Sequence, residues 1–485
     1  MIKKFLGFLI LMVQGNFSQA QYNVPPGMQQ PDSVTVAASN RYLPASFLKK
    51  IVTGKNYRKE WSTPVKMAVL DLEGSGLSIV KMGGGMQTKS LRLVDQQGRE
   101  WALRTVDKFA EGAVPPGLKN TVAEKIVQDM ISAGYPYAAL TVGALCEVAG
   151  ISAPRPRLYF VPDAEFLGAY REHFANTVCF LERREPIPGT LETQDVLFEM
   201  VDHNQDQVMQ KAVLNARLMD MLVADWDRHE GQWLWASRDS AGREWYYPVP
   251  LDRDQAFFMS GGLLPGLVKA IAMPHINSFK KDSRNIRMLS YKSWEFDRFF
   301  LNDLDDAEWR AIISDFTSRL TDEAIEASVK NLPPEIYAIS GAHVTSILKS
   351  RRDGLMENAL KYYQFLASKV MVAGSNADEI FRVSGDREGL VVKAYKRENG
   401  MEGAPLYERR FQSGDTKEII IYGLQGDDQF IVEETANTGI RLNFYGNKGK
   451  DSYHIGGKSK IWLYDSRMEE NMFVQKGRAR IVYHD

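Results

Sequence analysis

Acidic side chains are concentrated in two short segments near the middle of the chain. The first, residues 224–235 (ADWDRHEGQWLW), contains Asp227, and the second, residues 247–258 (YPVPLDRDQAFF), contains Asp252 and Asp254 inside an otherwise apolar predicted strand. Carboxylates in such a strand are costly to bury unless they are paired or hold a metal. Phosphoryl transfer uses one carboxylate to accept a hydroxyl proton, and another carboxylate with an amide to hold Mg²⁺. The two segments therefore predict either a phosphate-transfer site or a buried network of structural ion pairs.

Both segments resemble motifs of the atypical kinases, which include phosphatidylinositol kinases, HipA-type kinases, CotH-type spore-coat kinases and secretory-pathway casein kinases. The D-R-H-x-x-Q sequence from Asp227 to Gln232 resembles their D-R-[HN]-x-x-N catalytic loop, and the D-x-x-x-A-F sequence from Asp252 resembles their metal-binding strand. The resemblance implies that Asp227 is the catalytic base, Asp252 the main Mg²⁺ ligand and Gln232 the amide ligand, with ATP as phosphate donor. Asp254 replaces the family's Gly, so it either adds a ligand or distorts the turn.

A glycine triplet, Gly83, Gly84 and Gly85, lies between two predicted strands, as a phosphate-covering hairpin would. An ordinary hairpin turn is the alternative interpretation. Arg104, in the sequence WALR, resembles the lysine of the kinase A-x-K strand and is assigned a catalytic role in binding phosphate. A guanidinium can bind phosphate through two donors, so this role is physically possible although its geometry differs from that of lysine.

The same resemblance implies further nucleotide-binding residues. Lys108 is a second candidate cation, and a predicted helix over residues 122–133 offers Glu124 or Asp129 to orient Arg104 or Lys108. Glu182 ends a predicted strand where the hinge of a kinase would pass the adenine. Glu124 and Asp129 are alternatively interpreted as solvated charges on a helix face.

Composition and charge restrict the broad class of protein. The 485 residues contain 60 Lys and Arg against 61 Asp and Glu, a net charge of −1, which gives no electrostatic basis for a dedicated nucleic-acid binder. Two cysteines, Cys146 and Cys179, are interpreted as buried free thiols rather than as a disulfide. Since the long apolar run is at the N-terminus, no transmembrane helix is expected in the mature chain.

The N-terminus has the pattern of a secretory signal peptide: two lysines, a short apolar run and small residues at a cleavage position. We therefore predict export to the periplasm, the outer-membrane surface or the exterior. The predicted fold class is α+β: a two-lobed kinase-like domain, with a β-rich N-lobe and a helical C-lobe, precedes a small all-β repeat domain. The predicted boundaries are 1–20 for the signal peptide, 21–60 for a linker and short helix, 61–185 for the N-lobe, 186–370 for the C-lobe and 371–485 for the repeats.

Four predicted strands near the C-terminus each end in tyrosine at intervals of about 20 residues, which indicates stacked solenoid turns or a small repetitive sandwich. Two of the turns share the sequence G-x-x-G-x-D-x-aromatic, with Asp428 and Asp451 as the acids. Turn-forming Asp and Gly are the default interpretation of these sequences. Bound Ca²⁺ is the alternative, although each isolated turn supplies only half of a calcium cage.

These features leave three functions open. The first is an exported kinase-like phosphotransferase that binds Mg-nucleotide between two lobes and phosphorylates an unknown hydroxyl acceptor. The second is a catalytically inactive envelope binding or assembly module, whose β-repeat tail docks a protein or an outer-membrane barrel partner. The third is a metal-dependent phosphate-ester hydrolase. The second is suggested also by a broader resemblance of residues 40–485 to the middle region of long bacterial envelope proteins, which carry a calcineurin-like phosphoesterase and a surface-antigen barrel.

Overall fold

The computed structural model describes most of the chain beyond the N-terminal segment. The predicted signal peptide, the first part of the linker, Gly84 and Gly85 lie outside the described residues. Among the helices of the described part, none combines the length and apolar character needed to cross a bilayer. The described residues are 32–83, 88–112, 117, 119, 121–184, 187–240, 242–271, 273–283 and 285–484.

The first part of the chain forms a seven-stranded sheet with the order β1-β2-β6-β7-β5-β4-β3. Neighbouring strands are antiparallel except for β2 and β6, which are parallel, and the predicted strands on either side of the glycine triplet are present as β3 and β4. The strands are β1 (Ser33–Val36), β2 (Val65–Val69), β3 (Ser78–Gly83), β4 (Ser90–Val94), β5 (Glu100–Thr105), β6 (Arg157–Val161) and β7 (Thr177–Arg183).

Six helices accompany this sheet, and the predicted helix over residues 122–133 is present as a helix followed by a 3₁₀ turn. Cys146 and Cys179 are buried free thiols, as the sequence predicted. The helices are α1 (Phe47–Thr53), α2 (Arg58–Ser62), α3 (Leu72–Ser75), α4 (Val122–Met130), α5 (Ala138–Val148) and α6 (Arg171–Phe174).

The middle of the chain is mainly helical, and it also contains a four-stranded sheet with the order β8-β10-β11-β9. These strands are β8 (Leu191–Glu192), β9 (Gln207–Val208), β10 (Trp233–Ser240) and β11 (Arg243–Pro250). The helices are α7 (Thr193–Asp202), α8 (Gln210–Val223), α9 (Leu263–Ile271), α10 (Ile286–Leu289), α11 (Trp294–Phe300), α12 (Asp306–Arg319), α13 (Asp322–Val329), α14 (Pro334–Ile336), α15 (Ala342–Asp353) and α16 (Leu355–Ala367).

The largest hydrophobic core includes residues from both β1 and α16, so it joins one face of the seven-stranded sheet to the helices. A smaller core, which contains Leu91, Leu103 and Phe174, covers the opposite face of the same sheet. Residues of both predicted lobes therefore contribute to one continuous apolar core, and the seven-stranded sheet has a second, smaller core of its own. The candidate site must lie where the sheet and the helical part meet.

The C-terminal part consists of two packed sheets that enclose a separate core. One sheet has five parallel strands in the order β12-β16-β18-β20-β22, and the other has the order β15-β14-β13-β17-β19-β21. The strands are β12 (Lys369–Ala373), β13 (Glu379–Gly385), β14 (Leu390–Glu398), β15 (Met401–Phe411), β16 (Glu418–Leu424), β17 (Gln429–Val432), β18 (Arg441–Asn447), β19 (Ser452–Ile455), β20 (Lys460–Ser466), β21 (Met472–Gln475) and β22 (Arg480–His484).

The repeated tyrosines occupy neighbouring positions on the five-stranded sheet. Tyr422 stacks on Tyr445 with 4.9 Å between ring centroids, and Tyr445 stacks on Tyr464 at 4.4 Å. The fourth tyrosine, Tyr483, pairs in register with Asp465 rather than with Tyr464, so it leaves the column by one residue. From β16 onwards the chain alternates between the two sheets, which places one strand of each sheet in every repeat.

Candidate functional site

Arg104 connects the seven-stranded sheet to the second acidic segment. Its Nε lies 3.2 Å from Glu182 Oε1, and its Nη1 lies 3.2 Å from Asp252 Oδ2. Arg104 is directly opposite Phe180 on the antiparallel pair β5–β7, and Glu182 is two residues further along β7, on the same face. The sheet register therefore makes Glu182 the acid that orients Arg104.

A second ion pair lies beside the first. Lys108 Nζ donates to Asp254 Oδ2, and the Asp254 side chain is 33% exposed. Burial raises the pKa of Asp254, and the neighbouring charge of Asp252 raises it further. We call these five residues the inter-part cluster: Arg104, Lys108, Glu182, Asp252 and Asp254.

The inter-part cluster contains one more acid than it contains cations. Burial raises the pKa of Glu182 to about 6, although Arg104 opposes this shift. Because two cations face three acids, they cannot neutralise all of the carboxylate charge near neutral pH. Two of the carboxylates, Asp252 and Asp254, retain solvent access. An additional cation or a proton is electrostatically favoured at this position.

Asp252 and Asp254 follow the apolar strand instead of interrupting it, which corrects the sequence interpretation. Strand β11 ends at Pro250, and Asp252 has a φ of 49°, a left-handed conformation that is uncommon for a residue other than glycine. The intervening Arg253 is buried and donates from Nε to Asp220 Oδ1 at 2.9 Å. This turn therefore sends the two carboxylates towards the sheet and the arginine into the helical core.

Beneath the two acidic segments lies a group of three arginines and three aspartates with almost no solvent exposure. Asp220 on α8 accepts from Arg217 at 2.8 Å, contacts Arg228 Nε at 3.3 Å and accepts from Arg253 at 2.9 Å. Arg228 also donates to Asp225, and Arg217 also donates to Asp297. We call this group the arginine network: Arg217, Arg228, Arg253, Asp220, Asp225 and Asp297.

Asp227 lies on the loop after α8, next to the arginine network but outside it. The helix ends at Val223, the following Ala224 turns the chain with a φ of 57°, and Asp225 Oδ1 accepts from the Asp227 N–H at 3.2 Å. The Asp227 carboxylate accepts from Lys292 Nζ and remains partly exposed. Arg228 therefore belongs to a buried network of structural ion pairs, which was one of the two interpretations of this segment. Asp227, in contrast, presents a carboxylate at the surface of the loop.

Gln232 holds the two acidic segments together through its backbone. Its carbonyl accepts from the Leu251 N–H at 2.9 Å, and its side-chain oxygen accepts from the His229 N–H at 3.4 Å. Arg228 also donates to the carbonyl of Leu251. These bonds place the loop of Asp227 against the turn of Asp252, and the amide oxygen of Gln232 is committed to the loop itself.

Asp129, one of the two predicted orienting acids, lies elsewhere. Asp129 is buried and pairs with Arg58 and, at 3.0 Å, with Lys49, so it is committed to α1 and α2 rather than to Arg104. Glu124 is half-buried on the first turn of α4. Gly83 pairs with Ser90 at the end of the β3–β4 hairpin, and Gly84 and Gly85, the rest of the triplet, lie outside the described residues.

Three residues that position the site were not predicted from the sequence. Lys292 pairs with Asp227 from 65 positions further along the chain, a distance that no local pattern reveals. Asp220 and Arg217 were detectable, because they are charged residues three positions apart on an otherwise apolar helix face, and such residues are buried only as partners.

The oxygen donors of the inter-part cluster determine which metal ion it can bind. Asp252 and Asp254 supply carboxylate oxygens, the type of ligand that Mg²⁺ prefers, and their mutual repulsion favours a shared cation. Within the described ranges, however, no three His, Cys, Asp or Glu side chains are grouped closely enough to hold a metal ion. Two carboxylates with solvent access fit a Mg²⁺ ion whose other ligands are water and phosphate, and do not fit an all-protein cage.

No family model and no curated protein matches the chain. The similar solved structures include the Helicobacter pylori proinflammatory kinase CtkA, at 12% identity over 61% of this chain and 98% of that one, with a TM-score of 0.33. They also include the Rio2 kinase of Chaetomium thermophilum in an ADP/Mg²⁺-phosphoaspartate complex, at 13% identity over 59% of this chain and 72% of that one, with a TM-score of 0.27. The structural neighbours named here are kinases of low sequence identity to this chain.

Proposed function

We propose that the chain is an exported kinase-like phosphotransferase that binds Mg-nucleotide between the seven-stranded sheet and the helical part. The inter-part cluster carries this proposal. It brings two phosphate-binding cations, Arg104 and Lys108, together with two carboxylates suited to Mg²⁺, Asp252 and Asp254, at a solvent-accessible boundary. The partly exposed Asp227 lies on the loop that is bonded to the same turn.

In this proposal each residue has a distinct role. Arg104 and Lys108 bind phosphate oxygens, and Glu182 holds the Arg104 guanidinium in its orientation. Asp252 and Asp254 would hold Mg²⁺, which supplies neutralisation of the phosphate charge when it is bound. Asp227 accepts the proton of the acceptor hydroxyl at its carboxylate oxygen.

The second candidate function is an inactive envelope binding or assembly module. It is favoured by the fact that Asp252 and Asp254 are each already paired with a cation, so the cluster can serve as a structural link between the two parts. In that case the docking of a protein or barrel partner by the β-repeat tail would be the function. Nucleotide binding separates the two candidates.

Substitution of Asp252 by Asn is expected to weaken Mg-ATP binding by at least about tenfold, since one Mg²⁺ ligand and one partner of Arg104 are lost. Isothermal titration calorimetry of the mature chain, with and without Mg²⁺, measures this change. The matched control is Asp163→Asn, which removes an exposed carboxylate paired with Arg171 and should leave binding unchanged.

The absence of any heat with Mg-ATP, Mg-GTP or their diphosphates would overturn the phosphotransferase and leave the binding module. If nucleotide binds, incubation of the protein with a phosphate ester and no acceptor separates transfer from hydrolysis. Steady release of inorganic phosphate from that ester, lost in Asp227→Asn, would instead support the metal-dependent hydrolase.

A further inference from the structure

Two neighbouring helices expose an unusual number of large apolar side chains. Helix α1 begins at Phe47, shortly after Leu43, and packs against α9. The most exposed side chains on the two helices are Phe47 at 77% and Leu263 at 68%. Isolated exposed apolar residues need no explanation, but a group on adjacent helices marks an interaction surface. We call this group the apolar patch: Leu43, Phe47, Leu48, Ile51, Leu263 and Leu267.

Close backbone contact fixes the two helices side by side. A Cβ atom at Gly54, which follows α1, would lie 2.4 Å from the carbonyl oxygen of Gly261. A Cβ atom at Gly262, which precedes α9, would lie 2.5 Å from the backbone nitrogen of Gly54. Both Gly54 and Gly262 also have a φ near +90°, so only glycine fits either position without strain. The apolar patch is therefore carried by a rigid pair of helices rather than by two independent ones.

The two chain segments that carry the apolar patch are strongly basic. Residues 33–59 contain no Asp or Glu and residues 255–281 contain none either, although acids and bases balance over the whole chain. Lys269 is close enough to Lys280 that burial, together with the charge of Lys280, lowers its pKa. The basic residues of the two segments are Arg41, Lys49, Lys50, Lys55, Arg58, Lys59, Lys269, Lys280 and Lys281.

Two of these basic residues are occupied internally, because Lys49 and Arg58 pair with Asp129. The lysines at positions 50, 55, 59, 280 and 281 are exposed. An apolar face bordered by exposed lysines is complementary to an anionic bilayer: the apolar side chains enter the acyl boundary and the ammonium groups meet the headgroups. A protein partner with an apolar face would not require this local excess of positive charge.

We propose that the apolar patch and its lysines dock the protein on the surface of a bilayer that contains anionic lipids. The helices would lie in the plane of the interface, with their apolar side chains about 5–10 Å deep. Helix α9 begins nine positions after Asp254, so docking would hold the inter-part cluster close to the membrane surface. The proposal does not depend on nucleotide binding, and its test uses no nucleotide.

Co-sedimentation with vesicles tests the proposal. The full mature chain is expected to sediment with phosphatidylcholine vesicles that contain about one-third phosphatidylglycerol, and much less with phosphatidylcholine alone. The double variant Phe47→Ser and Leu263→Ser should weaken this partitioning by at least about tenfold, since two large apolar side chains no longer leave water. The control is Met468→Ser and Val474→Ser, which removes equally exposed apolar residues from the C-terminal sheets and should change nothing.

Substitution of the lysines tests the electrostatic part of vesicle binding independently of the apolar side chains. Lys50→Gln with Lys280→Gln should reduce binding to the anionic vesicles by about fivefold or more and leave the weak binding to neutral vesicles unchanged. Phe47→Cys, labelled with an environment-sensitive dye, should shift its emission to the blue on vesicles, and the buried Cys146 and Cys179 should not take the label.

Three results would overturn the proposal: no sedimentation of the wild-type chain with anionic vesicles, equal loss in the patch and control variants, or a labelled Phe47→Cys protein that sediments without any spectral shift. A wild-type dimer in solution that the patch variant converts to a monomer, without vesicle binding, would assign the same surface to a second copy of the chain.

Discussion

Replacement of Asp220 by Ala is expected to lower the free energy of unfolding by about 3–5 kcal/mol. Burial alone would raise the pKa of Asp220, but Arg228, Arg253 and Arg217 together hold it below its usual value, so the carboxylate is ionised at neutral pH. Without it, Arg217 keeps Asp297 and Arg228 keeps Asp225, while Arg253 keeps only a thiol and a carbonyl as hydrogen-bond partners. The loss of stability arises because the buried guanidinium of Arg253 no longer has a carboxylate partner.

Guanidinium denaturation of the wild type and the variant measures this change. The control is Asp306→Ala, which removes an exposed carboxylate paired with Arg310 one helical turn away and should cost less than about 1 kcal/mol. The double variant Asp220→Leu and Arg253→Met should recover stability relative to Asp220→Ala, because it removes the unpaired charge as well. Equal costs for the Asp220 and Asp306 variants would mean that the arginine network does not stabilise the fold.

The arginine network also explains why the two acidic segments meet. Arg228 and Arg253 belong to different segments, and both contact Asp220. Asp227 and Asp252, which immediately adjoin these arginines, are therefore positioned from below by one buried carboxylate. A substitution at Asp220 should displace both candidate site residues even though it touches neither.

Periodic patterns in the sequence predicted part of the regular elements. The predicted helix over residues 122–133 is present as α4 and a following 3₁₀ turn, and the four tyrosine-ending strands correspond to β16, β18, β20 and β22. The strands β17 and β19 were missed because they lie within the segments that were interpreted as turns. Their aromatic residues, Phe430 and Tyr453, stack inside the core at 5.0 Å, so the shared motif marks the start of a buried strand.

Ion-pair partners could not be predicted in the same way. Glu182 rather than Asp129 pairs with Arg104 because β7 joins the sheet beside β5, although Arg104 and Glu182 are 78 positions apart in sequence. Strand order is a property of the whole sheet and leaves no local signal in the sequence. The apolar residues near position 250 predicted a strand correctly, but the structure shows that it ends at Pro250 and that the carboxylates lie beyond its end.

The acids of the shared motif, Asp428 and Asp451, lie one above the other inside the C-terminal sheets with no solvent exposure. Asp428 Oδ1 accepts from the Glu379 N–H at 2.8 Å, and Asp451 Oδ1 accepts from the Asp428 N–H at 2.9 Å. The second carboxyl oxygen of each is buried without a hydrogen-bond partner. Burial raises the pKa of Asp428 to about 9 and that of Asp451 to about 7, so both are protonated in mildly acidic solution.

We expect these two carboxyl groups to make the protein less stable as the pH rises. Their pKa values in the folded chain are above the ordinary value of about 4 in the unfolded chain, so between these limits the folded state binds more protons. Their contribution is complete below pH of about 4 and is lost as the pH rises through about 7 and then about 9. Denaturant unfolding should therefore show a loss of at least about 3 kcal/mol between pH 5 and pH 9.

The variant Asp428→Asn separates this effect from other titrating groups. Its amide oxygen can still accept from the Glu379 N–H but cannot ionise, so the variant should be more stable than the wild type at pH 9 and its stability should vary less with pH. The control is Asp427→Asn, an exposed neighbour whose Oδ1 accepts from the Lys450 N–H, and it should keep the wild-type pH dependence. An unchanged pH dependence in Asp428→Asn would mean that Asp428 is already ionised at neutral pH. That state requires a compensating cation, which a loss of stability on addition of a calcium chelator would identify as Ca²⁺.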